Sequence, residues 1–434
     1  MKRSSEALGV PESGAVAGIV GSASPGKEQS VTSLDRWAIG RVAAGMGMPP
    51  VNLRLWDGTM PYTHPEPCGT IIFNDRKALW RVIVQPELGL GDGFSVGRID
   101  VDGDLMEILT RCYSAVEANS TKAFKRGLLG RLPEADLNTL TGSRKHIAHH
   151  YDLGNEFYKL WLDQQMVYTC AYYETPSATL EQAQVAKMDH VARKLQLREG
   201  MQVIEAGCGW GSLALHMARR YGVRVRAFNI SKEQLTYARE RAAQEQLTEQ
   251  VEFIEDDYRN IQGSCDAFVS VGMLEHVGLD NFRSLGEVIE RTLAPHGTAL
   301  VHSVGRNRPT PVNAWLEKRI FPGSYPPSLS EMMTIFEPSN LSVLDVENLR
   351  MHYAATLTEW LRRFDGNVDA IRRTHDEYFI RAWRLYLAGC AAAFKSGSIQ
   401  LFQVLVAPPR NNRLALTRQH LYTENPAAAW GSGQ

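Results

Sequence analysis

The sequence of 434 residues lacks a dominant charge, paired cysteines and a long apolar run. Its formal net charge is −1, so no global electrostatic field draws the protein toward nucleic acid or an anionic membrane. The six cysteines form no CxxC pair, which argues against a zinc site and against a secreted disulfide framework. We therefore expect a reducing cytoplasm as its location. The cysteines stand at positions 68, 112, 170, 208, 265 and 390.

No stretch approaches the roughly 20 apolar residues that are needed to cross a bilayer. The longest candidate, residues 385–394, is half that length, so any membrane contact is expected to be peripheral. The N-terminus begins with two basic residues, as a signal peptide does, but the apolar stretch at 15–20 is short and contains glycine. Secretion is therefore not expected.

The length predicts two or three domains. Residues 1–33 are rich in Gly, Ser, Ala and Pro, which predicts a disordered tail, and residues 426–434 are expected to be a second flexible tail. Residues 34–117 are typical of a small α+β domain without a chemical motif. Within this domain the patterns predict strands at 51–56, 69–74 and 79–84, a turn at 100–104 and a helix at 105–116.

A basic segment follows, at 118–140. Residues 118–133 of this segment contain four basic residues and no acid, and leucine and phenylalanine side chains are interleaved with them. The basic residues are Lys122, Lys125, Arg126 and Arg131. One interpretation is an amphipathic segment that lies on anionic lipid headgroups. The other is a solvated linker between domains, and two glycines in the segment weaken it as a free helix.

From residue 201 onward, strand and helix patterns alternate. Such alternation predicts parallel strands joined by helical crossovers, in an open doubly wound α/β sheet. Ligands of these sheets bind beyond the carboxyl ends of the strands. The predicted strands are 201–206, 223–229, 251–255, 266–271 and 297–304, and the predicted helices are 212–221, 231–246 and 281–293.

A glycine-rich turn follows the first of these strands, with the pattern Glu205-x-Gly207-x-Gly209-x-Gly211. Gly207 permits a tight turn, Gly209 lets the backbone approach a ligand, and Gly211 allows close packing of the next helix. Dinucleotide folds require the different spacing GxGxxG. The Glu205 carboxylate could face the cationic end of a methionine moiety and would repel a pyrophosphate. The pattern favours S-adenosylmethionine (SAM) over a turn without ligand.

Later strand ends supply further candidates. Ser231-x-x-Gln234 is typical of a capping box, in which Gln234 either caps the helix or contacts the cofactor. Asp257, in the run Asp256-Asp257-Tyr258, could accept a hydrogen bond from an adenine amino group. A solvated loop acid is the alternative interpretation for it.

Taken together, these motifs resemble those of the cyclopropane fatty acid synthases, which include the mycolic acid cyclopropane synthases and related lipid methyltransferases. The resemblance runs from about residue 149 to 407, and its ordered motifs are too many for coincidence. The matching segments are 150–155, 168–172, 205–211, 257–259, 270–278, 321–323, 352–353 and 399–404. The resemblance implies a class I methyltransferase (Rossmann-like) sheet within a domain at 141–425.

The resemblance also implies a reaction. The family transfers a methyl group from SAM to a cis double bond of a phospholipid acyl chain, and a bound bicarbonate is thought to remove a proton so that the ring closes. The implied partners are unsaturated phospholipids at the inner face of the membrane, with no nucleic acid and no metal. By analogy with phospholipid-acting members, the 34–117 domain is a candidate for lipid binding or for formation of a homodimer.

The family's bicarbonate ligands correspond here to Cys170, Glu275, His302 and Tyr353, with the backbone of Val304. Singly, Cys170, His302 and Tyr353 are each typical of a protein core, whereas a carboxylate after an apolar strand is costly unless it has a partner or a function. Together, at matching positions, they favour a catalytic site. The implied cofactor contacts are Tyr168, Thr169, Glu205, Gly207, Gly209, Trp210, Gly211, Asn229, Gln234, Asp257 and Tyr258, and candidates for an aromatic lining are Tyr172, Tyr173, Trp315 and Phe321.

Two positions depart from the family pattern. Asn229 replaces the usual threonine, which puts the ribose contact in question, and Ala355 stands where relatives commonly carry arginine. Loss of a proton from a neighbouring carbon would give a methyl-branched or methylene chain in place of the ring, and the motifs do not separate these outcomes. A lipid-binding protein without turnover is disfavoured by the intact glycine turn and the complete catalytic set.

Overall fold

The computed structural model describes residues 30–119 and 153–422. Contacts divide the chain into two compact units, each built from separate segments. The described part of the first unit comprises residues 30–119, 312–322 and 357–399, and that of the second comprises 153–311, 323–356 and 400–422. None of the described helices is long and apolar enough to span a bilayer.

The elements are numbered in chain order over the described residues. The helices are α1 (Ser33–Gly45), α2 (Arg76–Val84), α3 (Pro86–Ser95), α4 (Leu105–Asn119), α5 (Asn155–Lys159), α6 (Leu180–Lys194), α7 (Ser212–Tyr221), α8 (Lys232–Gln244), α9 (Phe282–Thr292), α10 (Ala314–Arg319), α11 (Leu329–Phe336), α12 (Arg350–Gly366), α13 (Val368–Ile371) and α14 (Glu377–Ser396). The strands are β1 (Asn52–Arg54), β2 (Gly69–Phe73), β3 (Ile99–Gly103), β4 (Gln202–Ala206), β5 (Arg224–Asn229), β6 (Val251–Glu255), β7 (Cys265–Val271), β8 (Leu293–Gly305), β9 (Ser342–Asn348) and β10 (Gln400–Ala407).

The first unit contains a three-stranded sheet in the order β1-β2-β3. Strand β2 pairs in parallel with β1 and antiparallel with β3. The core of the first unit is built from side chains of α1, the sheet, α2 and α4, including Ile39, Leu53, Phe73, Leu79 and Ile108. The predicted strands at 51–56 and 69–74 and the predicted helix at 105–116 are confirmed.

Two predictions in this unit are wrong. Residues 79–84 belong to helix α2, because Asp75 caps it by accepting from the Ala78 amide at 2.8 Å and buried side chains recur with helical spacing. Residues 100–104, predicted as a turn, lie mostly in strand β3, where Gly103 pairs with Gly69. Isolated apolar runs of this length do not distinguish a strand from a short helix.

Helix α1 begins at Ser33 with Thr32 as its N-cap, so the last two residues of the tail predicted at 1–33 are ordered. Thr32 and Asp35 form a reciprocal capping box, in which each side chain accepts from the other's backbone amide. The rest of the predicted tail, at 1–29, lies outside the described residues. So do residues 120–140 of the basic segment, residues 141–152 and the residues after 422.

The second unit contains a seven-stranded sheet in the order β6-β5-β4-β7-β8-β10-β9. Strands β4 to β8 pair in parallel, and β10 pairs antiparallel with both β8 and β9. Successive strand residues enter hydrophobic clusters on opposite faces, as Val203 and Ile204 do, because side chains alternate along a strand. The predicted doubly wound, mostly parallel sheet is confirmed.

Candidate active site

The glycine-rich turn leaves β4 and leads into α7. All three of its glycines have positive φ, namely +84° at Gly207, +54° at Gly209 and +82° at Gly211. A Cβ on Gly211 would lie 2.6 Å from the ring of Phe253, and one on Gly207 would lie 2.9 Å from Cβ of Met273. A Cβ on Gly209 would meet nothing within 4 Å. Packing therefore requires two of the glycines, while the third faces open space that a ligand can fill.

Glu205 lies near the end of β4, and its side chain is buried. Its Oε2 has no hydrogen-bond partner among the described residues. Burial raises the pKa of this carboxyl to about 7, although Lys187 and the backbone amide of Ala214 oppose the shift. A buried acceptor without a partner costs free energy unless a ligand completes it. Glu205 therefore fits the cationic end of a methionine moiety.

Asn229, at the end of β5, holds the glycine turn. Its Nδ2 donates to the carbonyl of Gly209 at 3.1 Å and to Oε1 of Gln234 at 2.8 Å. The predicted capping box is only half formed, because Ser231 accepts from the Gln234 amide at 3.4 Å while the Gln234 side chain turns to Asn229. These two predicted cofactor residues are buried and bonded to each other.

Asp257 and Tyr258 follow β6. The interpretation of Asp257 as a solvated acid is wrong, because the residue is only 5% exposed. Its carboxylate pairs with Arg259 at 2.7 and 2.9 Å. The Tyr258 hydroxyl is buried without a hydrogen-bond partner among the described residues, and burial raises its pKa. Tyr258 therefore presents an unused donor at the cofactor end of the sheet.

An aromatic cluster surrounds two further predicted contacts. The ring of Tyr168 lies 5.4 Å from that of Tyr158 and 5.3 Å from that of Trp161, and Trp210 lies 5.0 Å from Tyr158. The Trp210 indole donates to Oδ1 of Asn155 at 2.7 Å. Sequence reasoning missed Tyr158 and Trp161, although they follow the quoted motif at 150–155 at helical spacing.

The Cys170 thiol and the Tyr353 backbone amide both contact the carbonyl of Leu349. The Cys170 thiol is fully buried and donates to Ala171 O at 3.1 Å, with Leu349 O at 4.0 Å. The Tyr353 backbone amide donates to the same Leu349 carbonyl at 3.2 Å. Burial raises the pKa of the thiol far above its usual range, so that Cys170 stays protonated.

Glu275 follows β7, and its carboxyl reaches β8. Its Oε1 accepts from the backbone amide of Val304 at 2.6 Å, while Oε2 has no partner among the described residues. Burial raises the pKa of Glu275 to about 7, despite opposing hydrogen bonds from its own backbone and that of Val304. Two of the implied bicarbonate ligands, Glu275 and the Val304 amide, are thus bonded to each other.

His302 precedes Val304 on the same face of β8, and its ring is buried. Gln403, directly opposite on β10, places its Nε2 at 3.0 Å from Nδ1 of the ring. An amide nitrogen only donates, so Nδ1 accepts and the neutral ring carries its hydrogen on Nε2. Burial, helped by Lys187, lowers the pKa of His302 to about 3 and keeps the ring neutral.

The segments that carry Tyr353 and those that carry Glu275 and His302 are linked at one end of the sheet. Leu401 on β10 pairs with Val304 on β8, and its carbonyl accepts from the Leu349 amide at 2.9 Å. Backbone contacts therefore link the segments that carry Tyr353, Glu275 and His302 at the carboxyl ends of β7 and β8, and the Cys170 thiol lies at the same Leu349 carbonyl. Ala355 is exposed on α12, two residues after Tyr353.

The candidates for an aromatic lining belong to both units, with Tyr172 and Tyr173 in the second and Trp315 and Phe321 in the first. Tyr172 stacks between His190 at 4.3 Å and His352 at 4.6 Å.

Lys187 is a residue that sequence reasoning missed. It lies on α6, it is 2% exposed, and its Nζ donates to Oγ1 of Thr169 at 3.0 Å. Thr169 is one of the predicted cofactor contacts. The signal was present, because Lys187 follows the buried Ala183 by four residues and precedes the buried Val191 by four, which places it on the inward face of the helix.

Comparison with known proteins gives two family matches. Residues 138–404 match the family described as mycolic acid cyclopropane synthetase, and residues 44–123 match a domain of unknown function (DUF7884). The chain is 37% identical over 384 residues to a probable fatty acid methyltransferase of Pseudomonas putida, a match that covers 86% of this chain and 96% of that one.

Two further relatives extend the comparison. The cyclopropane-fatty-acyl-phospholipid synthase of Escherichia coli K12 is 35% identical, over 78% of this chain and 87% of its own length. The crystal structure of the mycolic acid cyclopropane synthase CmaA1, complexed with SAH and CTAB, superposes with a TM-score of 0.58 at 28% identity. That match covers 61% of this chain and 97% of CmaA1.

Proposed function

Because the chain belongs to the mycolic acid cyclopropane synthetase family and is a SAM-dependent methyltransferase, we propose that it cyclopropanates unsaturated phospholipid acyl chains. The observation that carries this proposal is the Glu275 carboxyl. It is buried, it uses one oxygen to accept from Val304, and its other oxygen has no partner in the described part of the chain. Such a group is suited to orient a base near the reacting carbons.

The cofactor end of the sheet fits SAM. Gly209 leaves room where a Cβ would stand, and Glu205 offers a buried acceptor without a partner. Asn229 holds the glycine turn through its bonds to Gly209 and Gln234. The further contacts that we propose are Tyr168, Thr169, Trp210, Asp257 and Tyr258. Bound SAM supplies an electrophilic methyl group on a sulfonium.

The residues at the carboxyl ends of β7 and β8 fit a small anionic base, for which we propose bicarbonate. His302 presents Nε2–H as a donor because Gln403 occupies Nδ1. Tyr353 would supply a second donor through its hydroxyl, and Glu275 would accept from the hydroxyl of the base. The protonated Cys170 adds no negative charge that would repel an anion. These residues would hold bicarbonate where it could accept a proton from the added methyl group. The electron pair of the broken C–H bond would then form the ring bond to the cationic chain carbon.

A second outcome is favoured by one comparison. The relative of Pseudomonas putida, 37% identical, is named a probable fatty acid methyltransferase. Loss of a proton from a neighbouring chain carbon would give a methyl-branched alkene from the same cofactor and site. A hydride shift along the chain, followed by loss of a proton from the added methyl group, would give a methylene product.

Lipid analysis separates the two products. We would express the chain in a bacterial host that lacks its own cyclopropane synthase and analyse the fatty acids by gas chromatography and mass spectrometry. Ring and methylene products have equal mass, so half of each sample is hydrogenated under mild conditions that leave the ring intact. We expect a product one methylene heavier than the unsaturated acid that resists hydrogenation. A product that takes up hydrogen would replace the first proposal with the second.

We also propose that the enzyme works in the cytoplasm at the inner face of the membrane, where its phospholipid substrate lies. The basic segment at 118–140 is the candidate contact. Replacing Lys122, Lys125, Arg126 and Arg131 with glutamine should weaken sedimentation with anionic vesicles at low salt and should not affect SAH binding. Unchanged sedimentation would assign the segment as a linker.

A further inference from the structure

Two lysines of α6 point into the second unit. Lys187 is 2% exposed and Lys194 is 1% exposed, and they lie seven residues apart on one face of the helix. A buried ammonium costs several kcal/mol unless an anion compensates it. The two side chains therefore pose the same electrostatic problem in the same helix.

Lys194 is compensated within the protein. Its Nζ lies 2.6 Å from Oε2 of Glu347, and the same oxygen lies 2.7 Å from Nε2 of His190. Burial raises the pKa of Glu347, but the bonds from His190 and Lys194 outweigh it and bring the pKa to about 2. The Glu347 carboxylate thus stays ionised and balances the charge of Lys194.

Lys187 is not compensated in this way. Within residues 30–119 and 153–422, its hydrogen-bond partner is the neutral Thr169 hydroxyl, while the carboxylates of Asp163 and Glu205 act on it through longer-range electrostatics. The nearby Asp163 uses its two oxygens on the backbone amides of Gln165 and Val167. An ammonium has three donors, so Lys187 has capacity for further acceptors.

We propose that Lys187 and Thr169 form a subsite for a carboxylate-type anion, and that its occupant is the carboxylate of the methionine moiety of the cofactor. The inference rests on the proposed use of SAM. Thr169 Oγ1 accepts from Lys187, which directs its own O–H away from Lys187 and toward a ligand.

Charge complementarity supports this occupant. The methionine moiety is a zwitterion with one ammonium and one carboxylate. Glu205 supplies a negative group and Lys187 a positive one, and the two lie within electrostatic range of each other. Bicarbonate also presents a carboxylate-type anion, and Lys187 acts electrostatically on Cys170 and His302. The test must therefore distinguish the cofactor carboxylate from bicarbonate as the occupant of the subsite.

The experiment measures calorimetric binding of SAH and of its decarboxylated analogue to the full chain. We compare the wild-type protein with Lys187→Met, and with Lys194→Met as the matched control on the same helix. Lys187→Met should weaken SAH binding by about 10- to 100-fold, the value of a hydrogen bond to a charged group, and leave the analogue unchanged. Lys194→Met should leave the ratio of the two affinities as in the wild type.

A second arm titrates bicarbonate into each protein. A change in bicarbonate affinity in Lys187→Met, with an unchanged ratio for SAH and its analogue, would keep the anion subsite and assign bicarbonate to it. Equal affinities of wild type and Lys187→Met for all three ligands, or equal weakening of SAH and the analogue, would overturn the proposal. Should Lys187→Met fail to fold, as judged by circular dichroism, Lys187→Gln replaces it. The readout is binding, so it stands even if the lipid product is not a cyclopropane.

Discussion

Two polar regions of the second unit differ in how completely their buried groups are paired. In the region around Lys194, the ammonium and the His190 ring both lie within ion-pair distance of one carboxylate oxygen of Glu347. In the described residues around the strand ends, Glu205 and Glu275 each keep one oxygen without a partner, and the hydrogen-bond partner of Lys187 is the neutral hydroxyl of Thr169. Paired groups stabilise the fold, whereas unpaired groups in the same interior mark where ligands complete it. The comparison predicts that substitutions among the paired groups lower the free energy of unfolding, whereas substitutions among the unpaired groups lower turnover or ligand affinity.

The largest effect is expected for Glu275→Gln. Glutamine retains an oxygen for the Val304 amide but is a much weaker acceptor, so turnover should fall by about 100-fold or more. Because the pKa of Glu275 is about 7, wild-type turnover should rise as pH increases through 7, and this limb should disappear in the variant. Initial rates between pH 6 and pH 9 test this, with SAH affinity as the control. A collapse of SAH affinity with normal turnover of the bound enzyme would refute the assignment.

Glu347→Leu should have the opposite consequence. Removing the carboxylate leaves Lys194 buried without its partner, so the free energy of unfolding should fall by about 3 kcal/mol. SAH affinity of the folded protein should be unchanged. Urea denaturation measures the first quantity and calorimetry the second. Adding Lys194→Met should restore much of the stability; if it does not, the ion pair is not the cause.

The pH dependence follows from the same pair. The pKa of Glu347 is depressed from 4.5 to about 2 in the folded state. The stabilisation is therefore complete above pH 4.5 and is lost as pH falls toward 2. Glu347→Leu should lack this contribution to acid unfolding.

The glycine turn allows the same contrast within one loop. Gly211→Ala places a Cβ 2.6 Å from Phe253 at positive φ and should destabilise the fold by about 3 kcal/mol. Gly209→Ala meets open space, so only the conformational cost of about 1 kcal/mol applies. It should nevertheless weaken SAH binding by about tenfold. Thermal unfolding and calorimetry of both variants test this, and normal SAH affinity in Gly209→Ala would exclude ligand at that position.

The smallest effect is expected for Gln403→Leu. Loss of one donor to His302 releases the fixed tautomer, so turnover should fall by about fivefold, the value of one hydrogen bond. Gln400→Leu, on the same strand and bonded to Asn348, is the matched control. Lipid product analysis and rate measurements should show the loss only at Gln403. Equal losses in both variants would indicate a general effect on β10.

Much of the second unit could be predicted because its signals are local. The alternation of strand and helix from residue 201, the turn with Gly207, Gly209 and Gly211, and the acid two residues before it all lie within short windows of sequence. The first unit was less predictable. There, the apolar run of α2 is too short to distinguish a helix from a strand without its capping residue Asp75, so the sequence predicted a strand.

The sequence by itself determined the five parallel strands of the large sheet, the glycine turn and the residue types at the strand ends, since these depend on periodicity and on backbone conformation. Only the tertiary structure decided which buried groups have partners. Lys187 and Lys194 have equivalent positions on one helix, yet the partner of Lys194 is Glu347, which also binds His190 from 157 residues away. Likewise, Gln403 meets His302 across 101 residues. Such pairings depend on strand order and register, which bring distant residues together and which no local pattern specifies.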